Sequence, residues 1–163
     1  EDDDVESLSN ILSVQGADLL LRTLDRVERD DAIRGEPQDH SQATVAPMLK
    51  KEDACIDWSL RSEQVHCLIR GVNPKPGAYS MLNGAPWRIH RAGAIDPHEY
   101  AASGAKAAPG QIIGLLKGLG VVVRTGDGAL LLTRIQPPSK QAMDAAACIN
   151  GNLLRIGQRF GKE

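Results

Sequence analysis

Aromatic residues are nearly missing from this chain: two Trp, two Tyr and one Phe make up 3% of 163 residues. So sparse a set argues against a single-strand nucleic-acid binder built on successive base-stacking rings. It also predicts a core of aliphatic side chains. Cysteine is scarce too. Cys55, Cys67 and Cys148 leave at least one thiol unpaired, none forms a Cys-x-x-Cys pair, and none is spaced with a His as zinc ligands are. No metal site is expected, and three ordinary thiols in a reducing cytoplasm are the simpler reading. A membrane-spanning helix needs about 18 or more consecutive apolar residues, and no such run occurs. The chain opens Glu1-Asp2-Asp3-Asp4, without Met and without a basic-then-apolar signal, which reads as an excised piece of a longer protein.

Catalytic constellations are missing as well. His40, His66, His90 and His98 are scattered through linker, helix, strand and loop. Asp39 and Ser41 flank His40, but neighbours in an extended segment do not converge as a triad must. Gly118-Leu119-Gly120 precedes a predicted strand, so it offers no helix N-terminus to a phosphate. Gly126-Asp127-Gly128 reads as a hairpin turn. No catalytic residue is expected in this chain.

What is present is a polar division of charge. Of 19 Lys+Arg and 21 Asp+Glu, residues 1–47 hold 4 and 12, a net of −8; the other 15 and 9 lie in residues 48–163, a net of +6. A basic second half predicts a polyanionic partner, with nucleic acid the first candidate. The residues that would carry it are Lys50, Lys51, Arg70, Lys75, Arg88, Arg124, Arg134 and Lys140. Arg91, Lys117, Arg155 and Arg159 are further basic positions. Arg88 and Arg91 are three apart, so on a regular strand only one of them faces a given side. With so few rings to stack bases, phosphate contact to a folded RNA fits better than base readout.

Residues 5–29 read as an amphipathic helix, from Val5, Leu8, Ile11 and Leu12 to Leu20, Leu21, Leu24 and Val27. Its apolar stripe needs a cover, either from this chain or from another. Residues 30–54, with Gly35, Pro37, Asp39, Ser41 and Pro47, are a linker by composition. Val65, Leu68, Ile69 and Val72 predict a short helix capped by Ser59 or Ser62 and stopped by Gly71 and Asn73-Pro74. Strands follow at 79–82 and 87–91, joined by Asn83-Gly84 in a type I′ turn. Further strands are predicted at 111–116, 121–124 and 129–135, a loop at 96–109, a helix at 143–149 and a closing strand at 156–160. Short strands without βαβ alternation predict a mainly β domain closed as a small barrel.

Several short stretches, in this order, resemble the C-terminal half of the methionyl-tRNA formyltransferase family. They are 37–47 (PQDHSQATVAP), Ile56-Asp57-Trp58, Ile69-Arg70-Gly71-Val72-Asn73-Pro74-Lys75-Pro76-Gly77-Ala78, Pro109-Gly110, Thr125-Gly126-Asp127-Gly128, Gln136-Pro137 with Lys140, and Asn150-Gly151 followed by Gly157 and Phe160. The likeness implies an oligonucleotide-binding-like barrel over 55–163, a linker over 30–54, and over 1–29 the closing helix of the family's catalytic domain. It implies that Lys50 and Lys51 are linker lysines that touch tRNA and that Lys140 is the basic residue of a family loop. The family's Asn, His and Asp catalytic residues lie on an upstream domain, the His in a His-x-Ser-Leu-Leu-Pro-like stretch that does not occur here. The parent enzyme would transfer formyl from 10-formyltetrahydrofolate to initiator methionyl-tRNA in a bacterial cytoplasm. This chain alone would be inactive, bind no cofactor, and be monomeric or dimerise through its first helix. The family commonly has Trp between the two prolines, where this chain has Lys75, and Tyr and Lys around Ala-Pro, where it has Val45 and Met48.

Three rivals remain. A formyltransferase acting on a sugar nucleotide or folate would look similar, but a small substrate needs no extended positive surface. A non-catalytic RNA-binding module would leave the acidic helix over 5–29 without a task. An interaction domain that docks a partner through that helix is the third.

Overall fold

A computed structural model of the chain describes residues 3–30, 34–95 and 107–161. Most of the predicted loop at 96–109, with His98 and Tyr100, lies outside the described residues. The first element is α1 (Val5–Arg29). Asp4 caps it: its carboxylate accepts the Ser7 backbone N–H at 2.9 Å, and the Ser7 hydroxyl accepts the Asp4 N–H at 3.1 Å. No residue of α1 is buried. Leu8, Ile11, Leu12, Leu20, Leu24 and Val27 all face solvent, so the described residues do not supply the cover that the apolar stripe needs. α1 is tied to the rest of the chain at its first turn. Arg70 Nη1 donates to the Asp3 carbonyl at 3.1 Å, and Asn73 Nδ2 donates to Asp4 Oδ2 at 3.0 Å.

Residues 34–53 are exposed throughout. They carry two short turns, His40–Gln42 and Glu52–Ala54. Ala54 is the first buried residue, and from there the chain enters its folded body.

Helix α2 (Ser62–Gly71) buries Val65 and Ile69, and Val72 follows just past its end. Its N-terminus departs from expectation. Arg61 occupies the cap position and its side chain makes no cap bond. The end is served instead by Asp127, 65 residues away, whose Oδ1 accepts the Ser62 N–H at 2.7 Å. The turn carrying Asp127 is pressed against the approach to α2, with Gly126 N–H donating to the Leu60 carbonyl at 2.8 Å.

The strands are β1 (Tyr79–Leu82), β2 (Ala85–Ala94), β3 (Ile112–Leu116), β4 (Gly120–Arg124), β5 (Ala129–Gln136) and β6 (Met143–Asp144), followed by α3 (Ala145–Asn150). Asn83 and Gly84 have φ of 52° and 72°, the two positive values that a type I′ turn requires. All pairings are antiparallel, in the order β1-β2-β5-β4-β3, with β6 also on β5. Met143 and Asp144, read from sequence as the start of a helix, pair with Ile135 and Arg134 instead. β4 pairs β5 only as far as Leu132, which leaves that edge of β5 open for them.

The expected closed, oligonucleotide-binding-like barrel is absent. The domain is mixed α/β, and its six-stranded sheet is open. Closure requires β1 and β3 to pair, and they do not. The stretch predicted as a closing strand at 156–160 lies between them without forming a strand. Gly157 has φ of 92°, which breaks the extended conformation a ladder needs, and Gly161 just past the stretch has φ of 154°. The stretch makes one isolated bridge, Arg159 to Gln111. Its Phe160 and Gly161 N–H groups donate to the carbonyls of Gly110 and Met81.

The core is not purely aliphatic either. Trp58, Trp87 and Phe160 are 3%, 7% and 1% exposed, and both tryptophans meet Phe160, with ring centroids 5.9 and 6.2 Å from it. Scarcity did not keep the rings outside, because each buries on the order of 200 Å² of surface that no aliphatic residue matches. Ile89, Ile112, Val121, Val123, Leu130, Leu132 and Ile135 surround them.

Candidate nucleic-acid interface

The linker lysines are set at a fixed point. Lys50 and Lys51 are exposed and precede the turn Glu52–Ala54, which closes through Lys50 N–H to Asp53 Oδ2 at 2.8 Å and Ala54 N–H to the Lys51 carbonyl at 3.2 Å. The next residues dock on the edge of β1: Cys55 bridges Tyr79, and Ile56 N–H donates to the Tyr79 carbonyl at 2.8 Å. The two departures from the family pattern in this linker, Val45 and Met48, are 91% and 89% exposed.

From that docking point a row runs across the sheet. Cys55 bridges Tyr79, Tyr79 is paired with Arg88, and Arg88 with Gln136. Gln136 Nε2 in turn donates to the Lys140 carbonyl at 2.8 Å. At about 4.8 Å per strand, Cys55 to Gln136 spans roughly 14 Å. Arg88 is exposed within the row. Its guanidinium lies against Gly77, which has φ of 85° and ends the loop carrying Lys75. The row thus sets Arg88 between the end of the linker that carries Lys50 and Lys51 and the turn that carries Lys140, with the loop of Lys75 beside it.

β2 is irregular, and the irregularity changes the count of basic residues on its outer face. Ile89 pairs with Ile135 and Arg91 with Arg134, so His90 is an extra residue without a partner. This bulge resets the alternation: Trp87, Ile89 and Ala92 point inward while Arg88 and Arg91 are both exposed. The expectation that a strand could present only one of them fails for that reason.

The other predicted positions are held by the protein itself. Arg70 ends α2 and donates to the Asp3 carbonyl and to Cys67 Sγ at 3.1 and 3.6 Å. Arg124 is half-buried, its Nη1 donating to the Gly128 carbonyl at 3.1 Å. Arg134 forms an ion pair with Asp144 at 3.5 Å.

His90 lies at the centre of a hydrogen-bonded chain that sequence reading did not find. Asn73 Oδ1 is 3.3 Å from its Nδ1 and Gln136 Oε1 is 3.3 Å from its Nε2. Asn73 is oriented by its bond to Asp4, and Gln136 by its bond to Lys140. Nothing in the spacing of these residues announces the chain, because it depends on the bulge.

Among the described residues, no group of three or more His, Cys, Asp or Glu is placed to hold a metal. Cys55, Cys67 and Cys148 are all free thiols, and burial pushes the Cys148 thiol up. Among the described residues, no helix is long and apolar enough to cross a membrane.

Comparison with known proteins agrees with these short stretches. The family described as "Formyl transferase, C-terminal domain" matches residues 48–153. Methionyl-tRNA formyltransferase of Synechococcus sp. (strain JA-3-3Ab) is 38% identical over 94% of this chain and 47% of its own length. That of Fusobacterium nucleatum is 35% identical over 98% and 50%, and that of Streptococcus pneumoniae serotype 19F is 37% identical over 99% and 49%. The chain spans about half the length of these curated relatives. Among solved structures, HypX from Aquifex aeolicus shares the fold, with a TM-score of 0.66 at 19% identity, over 94% of this chain and 27% of that one. HypX in complex with tetrahydrofolic acid gives a TM-score of 0.59 at 20% identity, over 88% and 26%. The chain belongs to the formyl transferase C-terminal domain family.

Proposed function

We propose that this chain is the tRNA-holding half of a methionyl-tRNA formyltransferase. The row of cations from Lys50 and Lys51 through Arg88 to Lys140 carries the reading. It offers point charges and one guanidinium, with Tyr79 half-buried in the row, which suits phosphates of a folded RNA. In the whole enzyme, formyl would pass from 10-formyltetrahydrofolate to initiator methionyl-tRNA on an upstream catalytic domain. Residues 1–29 would be the closing helix of that domain, 30–54 the linker, and 55–163 the tRNA-binding domain. The exposed leucines of α1 support this division, since a helix with this stripe needs a partner surface. The chain by itself would bind tRNA weakly and transfer nothing.

Binding to initiator and elongator methionine tRNAs at increasing salt tests the reading. Binding whose log–log salt slope corresponds to several neutralised phosphates is expected. Reversal of Lys50 and Lys51 to Glu should weaken it. No binding to either tRNA at low salt would replace tRNA with a small substrate.

A further inference from the structure

The hydrogen-bonded chain through His90 sets a condition on the protonation of its central ring. Asn73 Nδ2 lies 3.0 Å from Asp4 Oδ2, and Gln136 Nε2 lies 2.8 Å from the Lys140 carbonyl. The Ser7 backbone bond holds the Asp4 carboxyl below its ordinary range; burial opposes this, and the bonds from Asn73 and the Glu6 backbone and the charge of Arg91 add to the lowering. A carboxylate and a carbonyl can only accept, so each side-chain amide must turn its NH2 to them. Each therefore presents its oxygen to His90, Asn73 Oδ1 to Nδ1 and Gln136 Oε1 to Nε2, both at 3.3 Å.

A neutral imidazole has one N–H and satisfies one of these oxygens; against the other it sets lone pair to lone pair. An imidazolium donates to both. Neither amide can flip to suit a neutral ring without giving up its outer bond. Both contacts are long for N–H···O bonds, so one is released at small cost when the ring loses a proton.

Charges around the ring pull both ways. Asp4, His66 and Arg70 of α2, and Arg91 of β2 line one cavity with His90. On β5, Arg134 is opposite Arg91 and is paired with Asp144 of β6. Arg88 is opposite Gln136, and Lys140 holds its far end. The cations disfavour a second ring proton, whereas Asp4 and the two amide oxygens favour it.

The two ends of the chain differ in kind. Asp4 caps α1, and Lys140 belongs to the basic row. Directly opposed residues share a face of the sheet, so Gln136 brings His90 to the side on which Arg88 stands. We propose that His90 is a positioning residue: with both ring nitrogens protonated it clasps the cap of α1 to the Lys140 turn, and with one proton it lets one of them go. A nucleic-acid phosphate at Arg88 and Lys140 adds negative charge beside the ring and favours the clasped state, so binding there takes up a proton. That second step rests on the tRNA reading above; the clasp does not.

The clasp is tested on the full chain without RNA. Ring nitrogen signals of His90 and side-chain amide signals of Asn73 and Gln136 are followed by NMR from about pH 5 to 8, the span in which histidine changes charge. The ring should carry two protons at the acid end and one at the other, and the amide signals should shift with it. In His90→Gln, which holds no titrating proton, those amide shifts should vanish. A ring with one proton throughout overturns the clasp in the unaltered chain, as do amide shifts that persist in His90→Gln. The RNA step is read by calorimetry of tRNA binding at about pH 7 in two buffers of different ionisation enthalpy, which counts protons. Uptake of a fraction of a proton, absent in His90→Gln, is expected. Binding without uptake, or with equal uptake in His90→Gln, overturns that step. If no tRNA binds at low salt while the ring behaves as expected, the clasp stands and the tRNA reading falls.

Discussion

Asp127 caps a helix that begins 65 residues before it: its Oδ1 accepts the Ser62 backbone N–H at 2.7 Å and the Ser62 hydroxyl at 3.1 Å. The backbone bond from Ser62 holds the Asp127 carboxyl below the usual carboxylate range; burial opposes it, and the hydroxyls of Ser62 and Thr125 add to the lowering. A depressed folded value means stability that is fully present above the unfolded value of about 3.9 and lost as pH falls through the lower folded one. Asp127→Ala should cost about 1 kcal/mol at neutral pH. The difference from the unaltered chain should shrink under acid, as denaturant midpoints at both pH values will show. Asp127→Asn, which still accepts the N–H, should lose less.

Gly110 and Gly118 have similar positive φ, 85° and 76°, in different surroundings. A Cβ at Gly110 would run into the Phe160 carbonyl, whereas at Gly118 it would meet open space. Gly118→Ala should therefore cost only backbone strain, about 1 kcal/mol. Gly110→Ala should cost about 3 kcal/mol or more, because the backbone pairing with Phe160 must also give way. Thermal midpoints of the two variants compare them directly.

Trp58 donates its Nε1–H to Ser80 Oγ at 2.9 Å inside the core. Ser80→Ala leaves that N–H without an acceptor and should cost about 1–3 kcal/mol. Adding Trp58→Phe should cost less in the Ser80→Ala background than alone. A double-mutant cycle read by denaturant unfolding measures the coupling.

Arg88 and Arg124 should separate binding from stability. Arg88 is exposed on the proposed RNA face, so Arg88→Ala should weaken tRNA severalfold and lower the salt slope by about one. Arg124 holds the Gly128 carbonyl, so Arg124→Ala should lower the melting temperature by an amount equivalent to about 1 kcal/mol. Filter binding and calorimetry on the same preparations distinguish the two effects.

Local features of the fold were legible where a few adjacent residues decide the outcome. Asn83-Gly84 announces its turn because both positions need positive φ, and Val65, Ile69 and Val72 announce the buried face of α2 because the helical period aligns them. What escaped depends on partners distant in the chain. The cap on Ser62 comes from Asp127. The sheet stays open because the stretch at 156–160, with Gly157 at positive φ, makes one bridge instead of a ladder between its edges. Of the candidate site, Lys50, Lys51, Lys75, Arg88 and Lys140 were visible as charges, but the row that sets Arg88 between the linker end and the Lys140 turn comes from strand register. Arg91 and His90 were hidden by a bulge that periodicity does not record.

An open sheet carries a hazard that this chain has managed. The outward carbonyls of β1 at Tyr79 and Met81 would invite a strand from another molecule, since an unpaired edge is a template for aggregation. Ile56 and Gly161 occupy them, each with one backbone N–H. Two segments far apart in the chain thus block the edge without completing the sheet, and the edge is shielded only while both stay in place.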